Sequence, residues 1–419
     1  MDADAAPVTP VSAEERSAWR NRVRPPVRSV GGGVWAVPVP IPDNPLQYTL
    51  VYLLESDRGP VLVDTGWDSP DCYDILADGI AATGASVSDV HGILVTHYHP
   101  DHHGLSGRVR AESGAWIGMH AAEAQVVRAM RTIPEAEWGR RMLEHLRHAG
   151  LPEDYADALR SLRGRPGRSG RSRHTAGSGA GSAAGADAEA VSDTEGGFPE
   201  EQFHGSGGAE EPALDRDLVN ALPDRELVHS EQAGVPGRDV RVVWTPGHTP
   251  GHVCLHLTDG DRTRLLTGDH LLPTISPQIS LYPDDAGENS DPPPGSRMGS
   301  SGGDPLGDFL DSLERIAALD PHEVLPAHQY RFTGAPARVR ELLEHHAHRL
   351  AELHAALRAK PLTQWECAQA MTWNRPWAEL SFFSRHMALS EAAAHLRRLV
   401  KTGLAEQIPE AQPFLYRAL

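Results

Sequence analysis

The chain has 419 residues, enough for a large hydrophobic core and more than one domain. It carries 57 acidic and 39 basic residues, a formal net charge of −18, which argues against indiscriminate binding to nucleic acids or to anionic membranes. The three cysteines are widely spaced, which predicts no disulfide framework. The N-terminus lacks the apolar core of a signal peptide, and no apolar run is long enough to span a bilayer, so we expect a cytoplasmic protein.

The first half of the chain alternates strand and helix patterns. Residues 1–30 are polar and predict a leader ahead of the folded domain. After them, β-branched and apolar segments bounded by Gly, Pro and Asp are typical of strands, and apolar residues at helical spacing indicate helices. Strands are predicted at 33–41, 48–56, 59–66 and 89–96, a helix at 71–84, and two helices between 121 and 162.

Two polar segments interrupt this pattern. Residues 163–212 and 284–305 contain too little apolar surface to offset the entropy of ordering, so both are predicted to be disordered insertions. Between and after them the strand and helix patterns resume. Strands are predicted at 239–245, 251–258, 263–269 and 323–328, and a helix at 306–319.

The residues from about 336 onward differ from the rest because helical periodicity dominates. Three helices, a glycine and a final strand in "PFLYRAL" predict a small helical, winged-helix-like domain over 336–419. It follows a larger α/β domain over 31–335. Leucines at helical spacing in "LSEAAAHLRRLV" would serve either the core of the small domain or a homodimer contact.

A nine-residue segment, "THYHPDHHG" at 96–104, contains four histidines and one aspartate directly after a predicted strand. It is either a polar loop with internally bonded histidines or a metal site. His97 and His99 are two apart in extended chain and can point the same way, whereas Asp101 and His102 follow at a change of direction. Because His and Asp are standard ligands of zinc and similar ions, the spacing favours two ligands for each of two ions.

Three later motifs each place a metal-competent side chain at the end of a predicted strand. His248 lies in "WTPGHTPGH", Asp269 in "LLTGDH" and His328 in "VLPAHQ". Strand ends are where layered α/β proteins commonly keep their polar sites. The repeated placement favours the metal site over a chance scatter of histidines.

In combination, "VDTG" at Asp64, "HYHPDHHG", "PGHTPGH", "TGDH" and "LPAH" resemble the motifs of the metallo-β-lactamase-fold hydrolases, over about residues 33–335. The resemblance implies an αββα sandwich and a pair of metal ions. It implies that Asp64 orients the ligand loop without binding metal. The ligands it implies are His97, His99 and His248 for one ion, Asp101, His102 and His328 for the second, and Asp269 as a bridge between them.

A site of this kind performs hydrolysis. Two divalent ions, expected to be zinc with iron or manganese as alternatives, would activate a shared water and polarise the bond under attack. Asp101 could bind metal and also orient the nucleophile or accept its proton. The chain departs from the family pattern in "GLSG" after the histidine run and in "PAHQ", where Ala327 and Gln329 make the His328 loop bulkier.

Several reactions remain open on this scaffold. An aspartate at 269 disfavours β-lactam hydrolysis, because the commonest zinc β-lactamases, which are exported, have a cysteine there. Glyoxalase II and related thioesterases share the aspartate bridge, so a thioester or another activated, small-molecule acyl ester is the expected substrate. An RNA phosphodiesterase of the lactamase-like type is the alternative, although the acidic charge disfavours a nucleic-acid partner. A mononuclear-iron persulfide dioxygenase and a non-catalytic binding module are further alternatives.

The other histidines and the C-terminal aromatic residues have structural interpretations. Those adjoining ligands are expected to hydrogen-bond or pack around them, namely His103, His252 and His270. A solvated helix face is expected for His345, His346, His348 and His354. Core positions of the small domain, or a lid over the metals, are expected for Trp373, Trp377, Phe382 and Phe383.

Overall fold

The computed structural model describes residues 8–153, 155, 221–281, 303–408 and 410–419. The predicted insertion at 163–212 lies outside these residues, as does most of the one at 284–305. The described chain forms two β-sheets packed face to face with helices on both outer faces, followed by a smaller C-terminal module. This architecture confirms the predicted αββα class. Within the described ranges, no helix has the length and apolar character needed to cross a membrane.

The first sheet is antiparallel at its start and parallel from its centre onward. In spatial order its strands are β2 (Arg28–Gly31), β3 (Val34–Pro40), β4 (Tyr48–Leu54), β5 (Val61–Val63), β6 (Gly92–Leu94), β7 (Trp116–Met119) and β8 (Arg225–Glu226). The helices in this half are α1 (Ala13–Arg20), α2 (Pro70–Ala81), α3 (Pro100–His103), α4 (Ser106–Ser113), α5 (Ala121–Thr132) and α6 (Glu135–His148).

The second sheet combines both chain termini of the larger domain. In spatial order its strands are β1 (Thr9–Pro10), β13 (Phe332–Thr333), β12 (Glu323–Pro326), β11 (Arg262–Gly268), β10 (Val253–Asp259) and β9 (Asp239–Trp244). Its outer face is covered by α7 (Pro305–Leu319) and by the first half of α8 (Ala335–Ala359). Asp304, assigned to an insertion in the sequence analysis, is instead buried and caps α7 by accepting from the Gly307 amide at 2.9 Å.

Alternation along the strands creates the core. On β4, Leu50 and Tyr52 face the second sheet, whereas Val51 and Leu53 face α2. On β10, Leu255 faces the first sheet. Because successive side chains of a strand point to opposite faces, apolar residues at every position are buried on both sides and hold four layers together.

The two sheets are also hydrogen-bonded to each other at one edge. The Leu50 amide donates to the Ala327 carbonyl at 2.6 Å, and the Val253 amide donates to the Thr96 carbonyl at 2.9 Å. The pairs β5–β6 and β11–β12 are each parallel, so their carboxyl ends meet at this edge. The loops that carry the predicted ligands therefore start from one place.

The N-terminal residues correct the expectation of a separate polar leader. Strand β1 pairs with β13, and the buried Glu15 carboxylate accepts from the Arg331 guanidinium at 2.6 Å. Trp19 packs edge-on against Tyr48 with ring centroids 6.0 Å apart. One of its acidic residues thus forms a buried ion pair with an arginine that lies 316 positions further along the chain.

The C-terminal module contains β14 (Leu362–Thr363), α9 (Gln364–Ala370), α10 (Phe382–Lys401), β15 (Ala405–Ile408) and β16 (Leu415–Ala418), with strand order β14-β16-β15. Helix α8 belongs to both parts of the molecule, since Val339 packs in the core under α7 and Leu357 packs in the core of the module. Trp373 and Trp377 pack against the module core. The ring of Phe382 stacks on that of Tyr155, with the ring centroids 4.2 Å apart.

The prediction of a solvated helix face for the α8 histidines is wrong for His346. Its side chain is fully buried, whereas His345 and His348 are exposed. The reason is that α8 is covered on one side by α7 and α10. His346 lies 5.5 Å from the Phe309 ring and 3.3 Å, between ring nitrogens, from His395 of α10.

Candidate metal centre

All seven ligands predicted from separate motifs converge where the two sheets are joined. Their ligand atoms form three overlapping groups, and within each group the atoms lie within 4.8 Å of one another. The groups are His97, His99 and His248; His97, His102 and Asp269; and Asp101, His102 and His328. Six of the seven residues are buried and His99 is partly exposed, so the cluster opens to solvent on the His99 side.

The first group presents three imidazole nitrogens to one point. Nδ1 of His99 lies 2.9 Å from Nε2 of His97 and 3.1 Å from Nε2 of His248. The proton of His248 is fixed on Nδ1, because that atom faces the Gln278 carbonyl at 2.7 Å and a carbonyl can only accept. His97 is fixed likewise, since its Nδ1 donates to Thr96 Oγ1 at 3.0 Å, and the threonine hydroxyl in turn donates to Asp64 at 2.8 Å.

The residues Asp101, His102 and His328, called the second group below, contain with Asp269 polar atoms that the protein itself does not satisfy. Nε2 of His328 lies 3.1 Å from Asp269 Oδ1, and Nε2 of His102 lies 3.4 Å from Asp269 Oδ1 and from Asp101 Oδ2. Among the described residues, none makes a hydrogen bond to His102 Nε2, His328 Nε2, Asp269 Oδ1 or Asp101 Oδ1, although all are buried. An unpaired buried polar atom costs about 1–3 kcal/mol. A divalent cation between these atoms would satisfy them, so the residues present fit a metal ion.

Asp269 lies between the two groups. Its Oδ2 is 3.7 Å from Nε2 of His248 and 4.0 Å from Nε2 of His97, whereas its Oδ1 faces His102 and His328. Each carboxylate oxygen is therefore directed at a different group of imidazoles. This is the geometry that the predicted bridging role requires.

Asp64 stands behind the cluster and orients two ligands. Its carboxylate accepts from the Thr96 amide at 2.8 Å and from Nδ1 of His102 at 2.8 Å. Through the Thr96 hydroxyl it also fixes His97. Hydrogen bonds of this kind set the tautomer and the ring orientation of a metal-binding histidine. Asp64 thus contacts His102 directly and His97 through Thr96, and its role of orienting metal ligands stays a prediction.

The His328 loop accommodates its departures from the family pattern. Nδ1 of His328 donates to the Tyr48 carbonyl at 3.0 Å, which directs Nε2 at the cluster. Gln329 adopts a left-handed conformation with φ +74°, a region that favours glycine. Its side chain compensates by donating to Thr274 Oγ1 at 2.6 Å and accepting from the Thr274 amide at 3.0 Å.

Electrostatics distinguishes a half of the cluster with neutral imidazoles from a half in which imidazoles face two carboxylates. Burial lowers the pKa values of His97 and His99 well below the usual range, and neighbouring imidazoles lower them further, so both rings are neutral and can bind metal. Burial opposes charge on His328 as well, but Asp269 and Asp101 raise its pKa to about 10. The two carboxylates thus favour positive charge beside His328, and a bound cation would supply it.

Glu123 was not singled out by the sequence analysis, yet it ties two ligand loops together. It projects from α5, is fully buried, and accepts from the Tyr98 amide at 2.8 Å and from the Gly251 amide at 2.6 Å. Tyr98 separates His97 from His99, and Gly251 follows His248 by three residues. Burial raises the pKa of Glu123 to about 7. In the sequence, the only indication that Glu123 is buried is its position among the apolar residues of "HAAEAQVV".

The histidines adjoining the ligands have other partners. His103 bonds to Ser106 Oγ at 3.0 Å and to the Ala221 carbonyl at 2.9 Å. His252 accepts from the Asp269 amide at 3.3 Å. His270 packs on the Phe309 ring at 4.7 Å. All three therefore pack or bond around the cluster.

Comparison with known proteins identifies the family. Residues 45–130 and 174–328, more than half of the chain, match the family described as the metallo-beta-lactamase superfamily. The chain is 25% identical to a probable metallo-hydrolase of Bacillus subtilis, YqjP, over 83% of this chain and 86% of that protein. A metallo-beta-lactamase family protein of Thermus thermophilus has a similar structure, with a TM-score of 0.64 and 27% identity, covering 93% of this chain and all of that one. The chain belongs to the metallo-beta-lactamase superfamily.

A partial match carries a more specific name. An atrochrysone carboxyl ACP thioesterase of Passalora fulva is 26% identical to this chain over 150 residues, which are 35% of this chain and 38% of that protein. The match covers about a third of each protein. Its thioesterase activity is a property of the fungal protein.

Substitution of Asp64 by asparagine should weaken cation binding at the second group. The amide would donate to Nδ1 of His102, so the imidazole proton would move to Nε2 and the ring could no longer act as a ligand. We expect about 10- to 100-fold weaker affinity for one of two cations, as for other residues that orient metal-binding histidines. Zinc titration against a competing chelator measures it.

Asp68→Asn is the matched control, since Asp68 lies in the same loop but pairs with Arg108 at 2.6 Å. Unchanged affinity in both variants would contradict the orienting role of Asp64.

Glu123→Gln should weaken cation binding at the first group and lower stability. The amide nitrogen would face a backbone N–H, which leaves a buried donor unpaired at a cost of about 1–3 kcal/mol. Thermal unfolding and zinc affinity check the two effects. Glu352→Gln is the control, because Glu352 also accepts from a backbone amide, that of Thr372 at 3.0 Å, but at the surface. Equal changes of melting temperature and zinc affinity in the two variants would contradict the role of Glu123 in holding the two loops together.

Proposed function

We propose that this metallo-hydrolase cleaves a thioester or another activated acyl ester, using two zinc ions. One ion would be held by His97, His99 and His248, and the other by Asp101, His102 and His328. Asp269 would contribute one oxygen to each. The proposal deepens what superfamily membership establishes, a metal-dependent hydrolase, by naming the ligands and the substrate class.

The position of Asp269 carries the proposal. A carboxylate with one oxygen directed at each group of imidazoles can hold two cations side by side. When bound, such a pair lowers the pKa of a shared water and polarises the carbonyl of the substrate. A dinuclear site is therefore suited to hydrolysis at neutral pH.

Asp101 is the group best placed to handle the proton of the attacking water. Its Oδ2 accepts from Thr49 Oγ1 at 3.3 Å and faces His102 and His328 at 3.4 Å. Its Oδ1 is buried and makes no hydrogen bond to the described residues. Burial opposes the charge on Asp101, but His102 and His328 lower its pKa far below the usual range, so the carboxylate stays ionised. It would bind the cation and orient the attacking water by accepting a hydrogen bond from it.

Three observations support an acyl substrate. The chain has Asp269 rather than a cysteine at the bridging position. A partial relative bears the name of a thioesterase. The loops beside the ligands contribute an apolar cluster in which Trp67 is partly buried and Ile41, Leu46, Leu272 and Ile275 are buried. Because Asp269 and Leu272 belong to the same loop, we expect this cluster to contact the carbon chain of an acyl group.

Asp269→Ala should abolish activity and remove bound metal together. We expect zinc content to fall from about two equivalents to one or fewer, and hydrolysis to fall by more than about 100-fold, because even residues one step removed from a metal cost 10–100-fold. Elemental analysis and a thioester assay on the same preparations check this. Asp261→Asn, at an exposed position between β10 and β11, is the control. Full activity with unchanged metal content would refute the bridging role.

A substrate panel tests the reaction class. Purified protein would be assayed with S-lactoylglutathione, short- and long-chain acyl-CoA esters, a lactone, a chromogenic β-lactam and a short single-stranded RNA. We expect turnover of one or more thioesters or activated esters, and loss of that turnover in Asp269→Ala. The variant serves as the control for contaminating hydrolases. Cleavage confined to the RNA would replace acyl transfer by phosphodiester hydrolysis as the function.

A further inference from the structure

Gln278 connects the C-terminal module to a ligand of the metal centre. Its main-chain carbonyl accepts from Nδ1 of His248 at 2.7 Å, and its side-chain Nε2 donates to the Met387 carbonyl at 3.1 Å. Met387 lies in the first half of α10. One residue therefore contacts a candidate ligand through its backbone and the C-terminal module through its side chain.

A second series of contacts joins the same loop to the same helix. Ser276 lies 3.4 Å from Nε2 of His346, and Nδ1 of His346 lies 3.3 Å from Nε2 of His395. His395 is anchored in turn, because its Nδ1 donates to the Glu391 carbonyl at 2.8 Å. Both histidines are fully buried. The loop is thus held to α10 at two positions two residues apart.

Helix α10, to which these contacts lead, is itself held in place by apolar packing and by an ion pair. Leu389 and Leu396 are buried in the core of the module, and Arg398 bonds to the buried Asp304 carboxylate at 2.8 Å, which ties the helix to the start of α7. On the other side, Ile279 follows Gln278 and is fully buried in the core under α7. The module is therefore packed against the larger domain rather than linked to it by a free segment.

We propose that Gln278 is a positioning residue, through which α10 of the C-terminal module fixes the orientation of His248 toward the cation. The amide side chain sets where the Gln278 carbonyl lies, and that carbonyl sets the tautomer and the ring plane of His248. The inference rests on cation binding by the first group, but it is independent of which substrate is hydrolysed.

The matched pair Gln278→Met and Gln364→Met tests this role. Methionine has a similar length and volume but cannot donate, so each substitution removes one hydrogen bond to α10. Gln364 is the control because its Nε2 donates to the Leu389 carbonyl of the same helix at 3.1 Å, on a path that does not lead to a ligand. Cobalt(II) would replace zinc as the probe, since its absorption spectrum reports the ligand geometry.

We expect Gln278→Met to release cobalt to a chelator about tenfold faster than the parent protein and to alter the cobalt absorption spectrum, as loss of a group that orients a metal-binding histidine does. Gln364→Met should match the parent in both, while the two variants share any loss of melting temperature. That contrast separates positioning from a general structural effect.

Two results would overturn the inference, and they are distinguishable. If the parent protein binds cobalt and Gln278→Met releases it no faster than Gln364→Met, with the same spectrum, the positioning role is wrong and the metal centre stands. If the parent protein takes up no cobalt or zinc, the metal centre itself is wrong and the role of Gln278 falls with it.

Discussion

Two buried aspartates, Asp101 and Asp269, concentrate negative charge among imidazoles where the two sheets meet. An ionised carboxylate is expensive to bury unless opposite charge or hydrogen bonds compensate. Asp269 faces four imidazoles, and Asp101 faces two and one hydroxyl, yet one oxygen of each makes no hydrogen bond to the described residues. The site is therefore complete only with added positive charge. Cations bound at the two groups of candidate ligands would supply that charge.

The fold contributes rigidity to this arrangement. Three elements fix the candidate ligand histidines that have an assigned Nδ1 proton. Asp64 after β5 orients His102 and, through Thr96, His97; the Tyr48 carbonyl on β4 orients His328; the loop after β11 orients His248. The two sheets are hydrogen-bonded to each other beside these positions. Because the rings are oriented by separate parts of the chain, the geometry of the centre depends on how the two sheets and the C-terminal module pack together.

The sequence predicted the strands and the ligand motifs because both depend on local patterns. Runs of β-branched and apolar residues bounded by Gly, Pro and Asp identified the strands, and residues such as His97 and His99 lie close together in sequence. It did not predict contacts whose partners are far apart. The sequence around Glu15 is typical of an exposed acidic residue, but in the structure Glu15 pairs with Arg331. The sequence around His346 is typical of an exposed helix face, but α7 and α10 cover that face of α8. Likewise, the domain boundary predicted near 336 falls at the start of a helix whose two halves serve different cores.

An anomalous-scattering map from crystals of the protein grown with excess zinc would test the dinuclear centre directly. Two adjacent peaks are expected, one among His97, His99 and His248 and one among Asp101, His102 and His328, with the Asp269 carboxylate between them. A map without a peak at either position, or with ligand side chains too far apart to share a cation, would contradict the dinuclear centre.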